Sequence, residues 1–255
     1  MCLLVLAYGV DRDYPLIVAA NRDEFHARPS LDADWWPSDP DILGGRDLQA
    51  GGTWLALHRR GRFAAVTNFR DANTGDTRLR SRGHLVTGFL QSDREPLDYL
   101  HGIDGELYAG FNLVVADGRS LAYSSNRGIE PAQLTAGIYG LSNAALDTPW
   151  PKVERSKMRL RALLESATAS PPELLELLGD RAKSPAAKVE SDGLPLAQAR
   201  AITAPFIVLP DYGTRCSSIV RAHHNGRWDF LERRFDASGN PTGESNYLID
   251  SAVYR

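Results

Sequence analysis

Cysteine is scarce in this 255-residue chain, which has only Cys2 and Cys216. Two cysteines so far apart exclude a disulfide scaffold, a C-x2-C metal knuckle and a C-x-x-C-H haem attachment, and they fit a reducing compartment better than secretion. The chain also lacks a long apolar run. The longest, Cys2 to Tyr8, falls far short of the roughly 20 residues that span a bilayer. It has no positive n-region, and Asp11-Arg12-Asp13 follows it where a signal peptide would carry a small-residue cleavage site, so it reads as a buried strand. Excess positive charge is missing too. Lys and Arg number 29 against 32 Asp and Glu, with no basic block, so the clustered footprint of a nucleic-acid binder is absent. There is no repeat and no low-complexity tract.

What is present is ordinary globular composition, 43% apolar and 24% charged, enough for a full core without staples. A single domain over residues 1–255 is expected. Hairpins are expected from Leu3–Tyr8 with Leu16–Ala20, Thr53–His58 with Arg62–Asn68, and Phe111–Ala116 with Ser120–Ser124, each across a Gly-containing turn. Helical spacing covers Leu85 to Leu90 and Val153 to Ser166. Ser170, Pro171 and Glu173 form a capping box ahead of a helix from Pro171 to Leu178. Residues of about 180–204 read as an exposed connection, after which strands are expected at Phe206–Leu209, Arg215–His223, Arg227–Arg234 and Tyr247–Ile249. Hairpins, then helices, then hairpins describe an α+β layered fold rather than a parallel βαβ sheet.

Cys2 is the first candidate for chemistry. A small second residue permits removal of Met1, which would place a thiol and a free α-amine on one residue. That amine has a pKa near 7.7 to 8.0 and can act as general base. The competing reading is a small apolar residue that starts the first strand. Asn21-Arg22-Asp23-Glu24 ends the strand expected to pair with the first, so the hairpin returns these side chains to Cys2. There Asp23 can hold the amine and Arg22 can favour the thiolate, or the four residues can form a solvated turn with a Glu24–Arg28 ion pair. Asn68 and Asn143 each end an apolar strand, where an amide can serve an oxyanion or simply form a turn. Trp35, Trp36, Trp54 and Trp150 read as core, His223-His224 as a hairpin rim, and Cys216 as inert core. No metal is assigned.

Asn21-Arg22-Asp23-Glu24-Phe25 with Arg28-Pro29, Gly45-Arg46-Asp47, Gly51-Gly52-Thr53-Trp54, Thr67-Asn68, Gly110-Phe111-Asn112, Asn126-Arg127-Gly128, Leu141-Ser142-Asn143, Thr148-Pro149-Trp150 and Tyr212-Gly213-Thr214-Arg215 occur in that order. Together they resemble the NRDE family over essentially the whole chain. The resemblance implies an N-terminal nucleophile hydrolase-like αββα four-layer sandwich of two antiparallel sheets, comparable to the cysteine amidases that cleave conjugated bile salts and penicillin V. Cys2 then matches their nucleophile, Asn21 and Asp23 their R-N-x-D segment, Asn68 their L-N-F asparagine and Asn143 their oxyanion asparagine. Their thiolate-stabilising arginine is replaced by Ala20. Because neighbouring strand residues alternate faces, Arg22 is expected off the sulfur's face, with Arg215 as substitute; Glu24 and Asn21 complete the expected binding and activating set.

Two functions follow. One is a cytoplasmic hydrolase of linear amide C–N bonds in a small molecule, needing no cofactor. The other, also implied by the resemblance, is a non-catalytic carrier of haem or of a lipid or acyl-CoA; a scaffold that binds nothing specific is a third. Neither function calls for nucleic acid or a membrane span, and a monomer or small homo-oligomer is expected.

Overall fold

The computed structural model describes residues 2–70, 79–185 and 194–251. The first sheet comprises β1 (Cys2–Tyr8), β2 (Leu16–Phe25), β10 (Gly137–Leu141), β11 (Tyr212–Ala222), β12 (Arg227–Phe235) and β13 (Pro241–Asp250), in the order β10-β1-β2-β11-β12-β13. The second sheet is an antiparallel meander of β3 (Ser30–Trp36), β4 (Asp39–Asp47), β5 (Leu55–His58), β6 (Arg62–Asn68), β7 (Phe111–Ala116), β8 (Leu121–Ser125) and β9 (Ile129–Gln133). All pairs in the first sheet are antiparallel as well.

Strand alternation sorts the core into layers. Leu4, Leu6 and Val18 face the other sheet and meet Leu57, Phe63, Val114 and Trp228. Leu3, Val5, Ile17 and Ala19 face outward, where α3 (Pro151–Glu165) and α4 (Pro171–Leu178) cover them with Val153, Leu160, Leu174 and Leu177. On the far side α1 (Gly83–Gln91) and α2 (Pro96–His101) cover the second sheet through Leu85, Val86, Phe89 and Leu100. The result is helix, sheet, sheet, helix, the expected α+β four-layer sandwich of two antiparallel sheets. Strand β1 is covered on both faces, which explains its unbroken apolar run. Each fully buried Leu or Val contributes about 1.5 to 3 kcal/mol, so this strand anchors both cores.

The expected hairpins β1–β2, β5–β6 and β7–β8 form with Leu4 opposite Ala20, Leu57 opposite Phe63 and Val115 opposite Ala122. Phe206–Leu209 is not a strand and contributes only the bridge Val208 to Gly213. Strands β3, β4, β9 and β10 had no counterpart in the sequence reading: β3 exposes much of its polar surface, and β9 carries Pro131, as edge strands tolerate. The connection near residues 180–204 holds a fifth helix, α5 (Leu196–Ala201), with Ala199 and Ala201 buried, while 186–193 lie outside the described residues. Ser170 is the N-cap of α4 as expected, but its side chain makes no capping hydrogen bond, so the capping box does not form. No helix among the described residues is long and apolar enough to cross a membrane.

One close approach positions the site. A Cβ on Gly140 would sit 2.5 Å from Val153 Cγ1, so glycine alone lets the first turn of α3 press onto β10 beside β1.

Candidate active site

Cys2 opens β1, half-buried, and pairs directly with Arg22 on β2. A cleft of about 480 Å³ opens over the thiol, bordered by Arg22, Asp23, Glu24, Trp54 and Asn68. An apolar slot of about 20 Å³ continues from it between the sheets, past Leu4 and Ala20. A larger cavity of about 970 Å³ lies against α2, β8 and β9; no Cys borders it, and among the described residues the Ser125 hydroxyl there bonds to backbone rather than to His101, Glu106 or Glu130. The smaller cleft is therefore the chemically competent one.

A polar chain fixes the backbone of Cys2. Tyr123 Oη donates to Asn112 Oδ1 (2.8 Å), Asn112 Nδ2 to Thr67 Oγ1 (3.2 Å) and to the Ala144 carbonyl (3.0 Å), Thr67 Oγ1 to the Ser142 carbonyl (2.7 Å), and Ser142 Oγ to the Cys2 carbonyl (2.7 Å). Asn112 is fully buried, and its amide uses both its acceptor and its donor ends. This chain gives Thr67, Asn112 and Ser142 of the sequence blocks a physical role: they lock the Cys2 end of β1 to β6, β7 and the segment after β10.

Asp23 is buried beside the thiol. Its backbone N–H donates to the Cys2 sulfur, Thr214 Oγ1 donates to its Oδ1 (2.7 Å) and Tyr212 Oη to its backbone carbonyl (2.9 Å). Burial first, opposed by the N-terminal ammonium, Lys152 and Thr214, leaves the Asp23 carboxyl raised to about 6. Burial likewise pushes the Cys2 thiol up and the Asp23 charge adds to the rise, while the N-terminal ammonium, the Asp23 N–H and Arg22 act against it.

Arg22 shares the thiol's face, because positions 20 and 22 are two apart on β2 and both point between the sheets. This corrects the expectation that alternation would remove it. Its guanidinium lies 4.1 Å from the Trp54 ring centroid, with Nη1 3.5 Å from Ser30 Oγ. Trp54 thus lines the cleft while also packing against the core between the sheets. It lies flat because a Cβ on Gly45 would meet its ring at 2.3 Å.

Arg215 does not reach Cys2. A β-bulge between Thr214 and Cys216 turns it outward, and Nη1 donates to the carbonyls of Phe25 and His26 (both 3.1 Å) and of Arg28 (3.3 Å), clamping the turn after β2. Asn21 faces away. Its Nδ2 donates to the Leu178 and Pro205 carbonyls (2.9 Å each), and its Oδ1 accepts from Ser217 Oγ (2.6 Å). Glu24 sits on the cleft rim, its Oε1 accepting from the Phe25 N–H (2.9 Å) and its Oε2 3.8 Å from Arg28 Nε. The two asparagines divide. Asn68 is exposed at the end of β6 and lines the cleft, whereas buried Asn143 donates through Nδ2 to the Asn68 carbonyl (2.7 Å) and so holds that segment in place.

Lys152 escaped the sequence reading. It is 2% exposed on the core face of α3, in the electrostatic reach of Asp23 and Cys2. The available signal was its place at the start of the buried stripe Lys152, Ser156, Leu160, one residue ahead of the helix start read from the sequence.

Elsewhere, Asp39, Asp41 and His58 bring ligand atoms within 4.8 Å of one another, but Gln91 donates to Asp39 (2.8 Å), Arg59 pairs with Asp41 (3.4 Å) and the Arg60 N–H donates to His58 Nδ1 (3.1 Å). None of the three borders the Cys2 cleft. Cys216 is buried, and burial drives its thiol far up, which makes it inert.

The family model described as Transport and Golgi organisation 2 matches residues 1–237. The Transport and Golgi organization protein 2 homolog of Homo sapiens is 40% identical over 239 residues, covering 86% of each chain. Transport and Golgi organization protein 2 of Drosophila melanogaster is 28% identical over 260 residues, covering 91% of this chain and 90% of that one. Among solved structures, the C2A mutant of conjugated bile acid hydrolase from Clostridium perfringens superposes with a TM-score of 0.52 over 98% of both chains at 7% identity, a likeness of fold.

Proposed function

The chain belongs to the Transport and Golgi organisation 2 family, and on that premise we propose that it is an N-terminal-cysteine hydrolase of linear amide C–N bonds in a small molecule. The observation that carries the reading is the thiol at the end of β1, opening to a polar cleft directly beside a buried, doubly anchored Asp23. Removal of Met1 frees the Cys2 α-amine. The amine takes the thiol proton as sulfur attacks the carbonyl carbon, and the carbonyl pair moves to oxygen, where the Asn68 amide faces the cleft. Collapse breaks the C–N bond, the leaving amine takes the proton, and a thioester stays on Cys2. Water, its proton removed by the α-amine, then releases the acid and regenerates the thiol. Asp23 orients the amine throughout.

The carrier reading draws less support. No histidine is among the described residues that border the cleft, so haem would find no imidazole there. Cys2 and Cys216 are both free thiols, which supports a reducing compartment, the cytoplasm in this reading. The test is turnover of a panel of N-acyl 4-nitroanilides of increasing chain length by the wild type and by Cys2→Ala. Release of nitroaniline that disappears in the variant is expected; equal rates in both would overturn the proposal.

A further inference from the structure

Lys152 is built against every local rule. It occupies the second position of α3, at the positive end of the helix dipole where a cation is disfavoured. It lies on the apolar stripe that Val153 and Leu160 use to cover the first sheet. It is 2% exposed, and among the described residues its Nζ has no hydrogen-bond partner. Lys157, one turn on, behaves as a helix lysine ordinarily does, with its Nζ 2.7 Å from Asp147 Oδ1 near the surface. A buried ammonium without a partner is costly, and such violations concentrate at functional sites.

Its surroundings say what the charge serves. The first turn of α3 packs on β10 and β1, and the segment leading from β10 to it holds the Cys2 carbonyl through Ser142. Burial, the largest influence, works against the Lys152 ammonium and lowers its pKa; Asp23 and Cys2 favour the charged form and Arg70 opposes it, while the N-terminal ammonium, Arg22 and Glu24 complete the set around the thiol. Once Cys2 ionises, the site contains two buried anions, the thiolate and Asp23. Arg22 and the α-amine are not enough, because Arg22 is drawn onto Trp54 and the amine must give up its proton to act as base.

We propose that Lys152 is the buried counter-cation of the Cys2–Asp23 centre, a positioning residue that holds the thiol ionised. The inference deepens the hydrolase reading and rests on it for its purpose, but it is tested on the thiol itself. The rate of Cys2 alkylation by iodoacetamide is measured from pH 6 to 10 in the wild type, Lys152→Met and Lys152→Arg, with the label located by peptide mass; Lys152→Gln serves where the Met variant does not fold. Loss of the charge is expected to slow alkylation at pH 7.5 by about tenfold and to move the profile up by about one pH unit. Arginine is expected to restore both. Lys152→Met is expected to unfold at the same temperature as the wild type or higher, since a buried charge has been removed. An unchanged profile, or a drop in Tm with unchanged alkylation, would overturn the proposal. A shifted profile supports it even if no anilide is hydrolysed, a result that would instead overturn the hydrolase reading.

Discussion

Asp23→Asn separates burial from attraction in the carboxyl group at the heart of the site. In the folded chain Asp23 is raised from 3.8 to about 6, with burial the largest cause. The sign follows from linkage. The folded state keeps its proton over a range where the unfolded chain has lost it, so this group's contribution to stability is fully present below about pH 3.8 and is lost as pH rises through about 6. A shift of about two units corresponds to roughly 3 kcal/mol at 1.36 kcal/mol per unit. Asparagine keeps an acceptor for Thr214 Oγ1 but does not titrate. The assay is urea unfolding of wild type and Asp23→Asn at half-unit steps from pH 3.5 to 7.5. Their difference cancels any constant offset and the titrating groups on which Asp23 does not act. Wild-type stability relative to the variant should fall by about 2.4 kcal/mol between pH 4 and 7. A difference that stays flat, or that rises with pH, would refute the reasoning, because it would mean that the N-terminal ammonium and Lys152 together outweigh desolvation.

Other consequences follow from the packing and the polar chain. Asn112→Ala leaves the buried Tyr123 hydroxyl without its acceptor and removes the donor that Thr67 Oγ1 and the half-buried Ala144 carbonyl share. It should cost about 2 to 4 kcal/mol in urea unfolding and should also slow Cys2 alkylation as the strand end loosens. Gly140→Ala drives a methyl into Val153 Cγ1 at 2.5 Å and should destabilise by about 1 to 3 kcal/mol, read as a lower Tm, with the α3 start displaced from β1. Arg215→Lys replaces the planar fork that gathers three carbonyls after β2, so it should raise protease sensitivity at Phe25–Arg28 while leaving the alkylation profile of Cys2 unchanged.

Much of the fold could be read from apolar runs between turn residues, because β1, β5, β6, β7 and β8 are buried on one or both faces and their pattern is strong. Strands β3 and β9 escaped because they are edges with much exposed polar surface, and β4 because it opens on Asp39-Pro40 and runs through Gly44-Gly45. In the site, the hairpin that returns Arg22 and Asp23 to Cys2 was legible from strand pairing alone. Which asparagine faces the cleft was not, since Asn68 and Asn143 have the same local signature and differ only in the partners that tertiary packing brings. Arg215 was misplaced because a one-residue bulge reverses the face of a side chain and leaves no mark in composition. Lys152 was invisible for the opposite reason. Sequence pattern treats a lysine near a helix start as solvated, and only the glycine contact at position 140 reveals that this turn is pressed into the core.

The claim on which the rest depends is that Cys2 carries the acyl group. Wild-type protein is mixed with an N-acyl 4-nitroanilide, quenched in acid within the first turnovers and read by intact and peptide mass. The account predicts a chain that begins at Cys2 and bears the acyl mass on that residue as a thioester, absent from Cys2→Ala. A chain that retains Met1 and carries no acyl mass would contradict it.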